Sequence, residues 1–105
     1  MNQCTPAQFA EVIESPDVVI LDVRTAHEFE AAHIDGAILI DIQSPEYASR
    51  IAELDKTARY AVYCRSGNRS TYACQDLQDL DVTRIEHLQN GIIEWMDKNY
   101  PVNQG

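Results

Sequence analysis

The stretch Tyr60-Ala61-Val62-Tyr63-Cys64-Arg65-Ser66-Gly67-Asn68-Arg69-Ser70 decides the fold and points at the chemistry. Its first four residues form a continuous apolar run, as expected for a strand covered on both faces of a parallel sheet. Its last residue opens a helical pattern from Ser70 to Leu80, with Ala73, Leu77 and Leu80 on one face. A cysteine at such a strand end meets the free N–H groups and the positive dipole end of the helix that follows. Both stabilise a thiolate, and Arg65 and Arg69 add full positive charges. Gly67 admits backbone conformations in which successive N–H groups converge on one anion. The pattern predicts a nucleophilic Cys64 acting on a small anionic substrate.

Outward from this stretch, the apolar period keeps switching between strand and helix. Thr5-Pro6-Ala7-Gln8 reads as a helix start, with Thr at the N-cap, Pro at N1 and Gln at N3. Phe9, Val12 and Ile13 supply its apolar stripe. Val18 to Val23 is a strand broken only by Asp22. Thr25 to Ala32 is a short helix with Phe29 inward, and Ala37 to Ile40 a brief strand after Gly36. Ser44-Pro45-Glu46 opens a helix to about Leu54, with Tyr47, Ile51 and Leu54 on one side. Thr83 to Leu88 is the last strand, and Gly91 starts a final helix containing Ile92, Trp95 and Met96. Alternating short strands and helices predict an α/β fold with a mostly parallel sheet. Ligands of such sheets sit beyond the carboxyl ends of the strands, where Asp22 and Cys64 both fall.

The 105 residues suit one domain, taken as residues 1–105, with a single modest core. The chain carries net −9, yet residues 56–75 hold Lys56, Arg59, Arg65 and Arg69 and no acid. That window is +4 and the remainder −13, so the positive charge is local and can focus an anion on Cys64. An acidic remainder argues against nucleic acid or a membrane surface as partner. No apolar run approaches a membrane span, and the first residues lack a secretory pattern. Three cysteines with no close pair make no disulfide framework, which fits a cytoplasmic setting.

Other reactive side chains read as structural. Cys74 falls beside Leu77 on the buried side of its helix, a small core residue rather than a resolving thiol. His27, His33 and His87 lie in no local signature for a cysteine hydrolase base. Scattered cysteines and histidines offer no clustered ligand set, so no metal is expected. Arg24 and Glu28, four apart, form an ion pair by default. Asp22 is placed to orient the Cys64 loop by accepting its N–H groups or Arg69.

Three blocks of sequence together resemble the rhodanese domain family, in particular its small single-domain sulfurtransferases. Leu21-Asp22-Val23-Arg24, Glu28-Phe29 and His33-Ile34-Asp35-Gly36-Ala37 are similar to the first family signature. Val62 to Ser70 is similar to the catalytic loop. Asn90-Gly91, Trp95 and Pro101-Val102 resemble the closing signature. The likeness runs from residue 5 to 102. It departs at Asn90, where the family usually has a second glycine, and at Ala32, before His33.

The resemblance implies a rhodanese-like five-stranded parallel sheet with helices on both faces, the first strand lying before Thr5. It implies a thiosulfate sulfurtransferase needing no cofactor. Cys64 would take a sulfane sulfur from thiosulfate or a similar donor and pass it, as a persulfide, to cyanide, a thiol or a protein acceptor. Arg65, Ser66, Gly67, Asn68, Arg69 and Ser70 would bind the substrate. Two other classes compete: a cysteine phosphatase or arsenate-type enzyme on a related fold, and a non-catalytic sulfur-carrier or binding module. A phosphatase loop separates Cys from Arg by five residues; here Cys64 and Arg69 are separated by four, and no general acid is evident. The ring is sized for one sulfur atom.

Overall fold

The computed structural model describes all residues, 1–105. Its chain order is β1 (Asn2–Cys4), α1 (Pro6–Ile13), β2 (Val18–Asp22), α2 (Ala26–Ala31), β3 (Ile38–Leu39), α3 (Tyr47–Ala52), β4 (Arg59–Tyr63), α4 (Asn68–Asp79), β5 (Arg84–Leu88) and α5 (Gly91–Asp97). The five strands form one sheet in the order β1-β5-β4-β2-β3, every pairing parallel. β4 is therefore the central strand, and it delivers Cys64 to the middle of the carboxyl edge. The short first strand implied by the family resemblance is present and pairs with β5.

Each face of the sheet is covered, which is why β4 is apolar from Tyr60 to Tyr63. On one face Ile51 of α3 and Ala73, Cys74 and Leu77 of α4 pack on Tyr60, Val62 and Ile85. On the other, Phe9 of α1 and Ile92 and Trp95 of α5 pack on Ile20, Ala61, Tyr63 and Leu88. Phe9 meets Tyr63 and Trp95 edge-on, at ring-centroid distances of 6.4 and 6.0 Å. Truncating a core aromatic of this kind costs about 3–5 kcal/mol.

Local signals set the helix starts. Thr5 and Gln8 form the expected capping box on α1. Thr25 and Glu28 form a second one on α2, so Glu28 already has one structural task. One apolar assignment differs from the sequence reading. Phe29 is half-buried, as α2 has no fully buried residue, and it stacks on His33 at 3.8 Å. Met96 is 40% exposed, on the outer side of α5.

Candidate active site

Cys64 is the first residue past β4, and α4 begins at Asn68, two residues earlier than the apolar period alone placed it. The turn between them closes on the cysteine sulfur. The Gly67 N–H donates to Sγ at 3.1 Å and the Ser70 N–H at 3.3 Å, and the Ser70 hydroxyl oxygen lies 3.2 Å from it, in reach to donate to a thiolate. Gly67 sits at φ 100°, which a side chain would strain, and a Cβ there would overlap the Gln89 carbonyl. The thiol itself is 1% exposed. Burial pushes its pKa up, but the Ser70 hydroxyl and the N–H groups of Ser70, Gly67 and Ser66 outweigh this and leave the thiol more acidic than usual.

The turn is held from behind by α5. The Ile92 N–H donates to the Cys64 carbonyl at 2.9 Å, and the Ile93 N–H to the Arg65 carbonyl at 3.1 Å. Gly91, at φ 73°, lets the two segments touch; a Cβ there would overlap the Arg65 carbonyl. The Asn90-Gly91 turn, remote from the nucleophile in sequence, is thus its buttress. The free N–H groups of one helix end satisfy the carbonyls of another element's loop.

The charged residues are partnered differently from the sequence reading. Asp22 does not orient the Cys64 loop. Arg24 folds back two residues and takes the Asp22 carboxylate through its Nε at 3.0 and 3.1 Å and its Nη2 at 2.7 Å, while the Arg24 N–H donates to it as well. Arg24 Nη2 also donates to the Ala32 carbonyl, so this buried pair ties β2 to the end of α2. Glu28 accordingly pairs not with Arg24 but with Arg69, in a bidentate bridge of 2.7 and 2.8 Å. That bond lowers the Glu28 pKa to about 2. Arg69, a cation in the first turn of α4, is offset by this carboxylate. Arg65, Ser66 and Asn68 are exposed at the rim.

Two residues that sequence reasoning passed over enter the site. His87 on β5 places Nε2 2.6 Å from Ser70 Oγ, and Gln3 on β1 places Oε1 2.7 Å from His87 Nδ1. No local signal marked either residue: Thr83-Arg84-Ile85-Glu86-His87-Leu88 holds three ionisable residues and only two apolar ones. Cys74 is fully buried, and burial raises its pKa to about 12. No cluster of three or more His, Cys, Asp or Glu side chains could hold a metal ion. No helix is long and apolar enough to cross a membrane.

A buried cysteine ringed by loop N–H groups, at the carboxyl edge of an all-parallel sheet, defines an α/β protein built to stabilise negative charge on sulfur. The chain belongs to the rhodanese-like domain family, whose model matches residues 5–98. It is 32% identical over 89 residues to a sulfurtransferase of Allochromatium vinosum, covering 85% of this chain and 81% of that one. It is 27% identical over 97 residues to the tRNA uridine(34) hydroxylase of Teredinibacter turnerae, covering 89% of this chain but only 30% of the hydroxylase. Among solved structures, a rhodanese-related protein of Thermoplasma volcanium superposes with a TM-score of 0.88 at 30% identity, each chain covered in full.

Proposed function

We propose that the protein is a sulfurtransferase that carries sulfane sulfur as a Cys64 persulfide, with thiosulfate or a similar small anion as donor. The observation that carries this reading is the ring of donors around Cys64 Sγ. The thiolate attacks the outer sulfur of thiosulfate, the S–S bond of the donor breaks, and sulfite leaves with its electron pair. The negative charge then sits on the outer persulfide sulfur. A thiophilic acceptor (cyanide, a thiol or a protein cysteine) takes that sulfur and returns the thiolate. Arg65, exposed at the rim, meets the incoming anion, and the Ser66 and Asn68 backbone lines its path.

The engagement of Arg69 by Glu28 weighs against the phosphatase alternative, which needs a free guanidinium to clamp two phosphate oxygens. Incubation with thiosulfate should add the mass of one sulfur atom, and Cys64→Ser should abolish the addition while Cys74→Ser retains it. Sulfur addition that survives Cys64→Ser, or Cys64-dependent hydrolysis of an aryl phosphate, would overturn the proposal.

A further inference from the structure

His87 is 1% exposed and lies in the last strand, on the side of the sheet that α4 covers. Its Nε2 is 2.6 Å from Ser70 Oγ, and that oxygen is 3.2 Å from Cys64 Sγ. Its Nδ1 is 2.7 Å from Gln3 Oε1. Gln3, His87, Ser70 and Cys64 come from β1, β5, α4 and the end of β4, yet they form one unbroken chain of polar contacts ending at sulfur.

The proton count along this chain is restrictive. The Gln3 oxygen can only accept, so Nδ1 carries a hydrogen and a neutral His87 presents a bare Nε2 to Ser70. The hydroxyl has one proton and three neighbours: Nε2, Sγ and the Gly67 carbonyl at 3.2 Å. With neutral His87 that proton goes to Nε2, the nearest of the three, and oxygen lone pairs face sulfur. This suits a thiol and repels a thiolate. A thiolate needs the hydroxyl proton turned toward it, which leaves Oγ free to accept from a protonated Nε2.

We infer that Cys64 and His87 titrate as one coupled pair through the Ser70 hydroxyl. As the thiol proton passes to Oγ, the hydroxyl proton passes to Nε2. The product is a thiolate and an imidazolium, reached with no side-chain rearrangement and no other reactant. His87 touches no substrate; it is a positioning residue that acts through Ser70. The inference rests on Cys64 being the nucleophile of the proposed sulfurtransferase.

The surroundings make the pairing specific. Burial pushes an isolated His87 toward the neutral form, so a proton there needs a nearby anion. On the same face, Cys74 of α4 and Tyr60 of β4 are both raised by burial and stay uncharged near neutrality. The Met1 amino group, whose charge reaches Cys74, opposes the imidazolium. Glu86 is turned to the opposite face, with Cys4, and is taken up by Arg59 at 3.1 Å. Arg69 is neutralised by Glu28. The Cys64 thiolate is the anion that this contact chain brings to His87.

The test reads the ring and the thiol without any sulfur donor, so it can fail while persulfide formation succeeds, and the reverse. In protein labelled with 15N-histidine, the His87 ring should carry hydrogen on both nitrogens at a pH where Cys64 is ionised. After Cys64 is blocked with iodoacetamide, or replaced in Cys64→Ser, only Nδ1 should carry one. Ser70→Ala should abolish that difference and raise the midpoint of the pH–alkylation curve by about one unit, slowing alkylation near pH 7 about tenfold. Ser70→Thr, which keeps the hydroxyl, should restore both. If Ser70→Ala does not fold, the comparison of free and blocked wild type decides alone. The same ring protonation with and without the thiolate, or a difference that survives in Ser70→Ala, overturns the coupling.

Discussion

Arg65 and Arg69 flank the same turn, but their surroundings give them different tasks. Arg65 is exposed and free to meet an anionic donor, whereas both terminal nitrogens of Arg69 are engaged by Glu28. Arg65→Ala should lower kcat/KM for thiosulfate by about 1.5–3 kcal/mol, the worth of a charge-assisted hydrogen bond. Transfer from a preformed persulfide to a neutral thiol should change little, because no donor anion is held in that step. Arg69→Ala acts through the bridge instead, so Glu28→Gln should reproduce much of its effect. A double-mutant cycle should show the pair coupled by about 0.5–3 kcal/mol. Losses that simply add would mean that Arg69 serves the substrate independently of Glu28.

At the scale of elements, the cysteine turn is held between two helix N-termini. The first turn of α4 supplies donors to sulfur, and the first turn of α5 supplies donors to the carbonyls of Cys64 and Arg65. The contact is backbone against backbone, so it tolerates no Cβ at Gly67 or Gly91. Gly91→Ala should therefore raise the Cys64 thiol pKa and cut persulfide formation by tenfold or more, on the order of 1.4 kcal/mol per decade, although residue 91 touches neither sulfur nor substrate. The alkylation–pH curve and the rate of sulfur addition check this together. Replacement of Gly105, where an added Cβ would meet nothing, is the control. Equal behaviour of the two variants would show that the buttress is dispensable.

Across the whole molecule, the Glu28–Arg69 bridge joins α2 to α4 over 41 residues of sequence. Hydrogen bonding from Arg69, ahead of burial, holds the Glu28 pKa at about 2, against roughly 4.3 for an unfolded carboxylate. The folded state binds this proton more weakly than the unfolded one. The bridge therefore contributes fully above about pH 4.3, and its contribution is lost as pH falls from there toward 2. Urea midpoints measured down that range should show wild type more stable than Glu28→Gln at pH 7, with the gap closing near pH 2. A gap that stays constant with pH would show that the charge on Glu28 does not carry the effect, since Gln can serve the capping box as Gln8 does on α1.

Much of this was written locally. The apolar run into Cys64, the glycine and the helix period behind it depend on near neighbours, so the α/β alternation and the cysteine turn follow from the sequence alone. The capping box at Thr5 is legible for the same reason: its partners lie three residues apart. What the sequence could not assign is who meets whom across the sheet. Asp22 and Glu28 each had more than one cation within reach, and only the fold decided between Arg24 and Arg69. Gly91 and His87 looked unconnected to Cys64 because 27 and 23 positions separate them from it in sequence. The parallel order that sets β5 beside β4 brings both against the turn. Short-range backbone preferences act between near neighbours and can be read from them; hydrogen bonds to a buried sulfur depend on strand order, which is fixed only when distant segments bury one another's apolar faces.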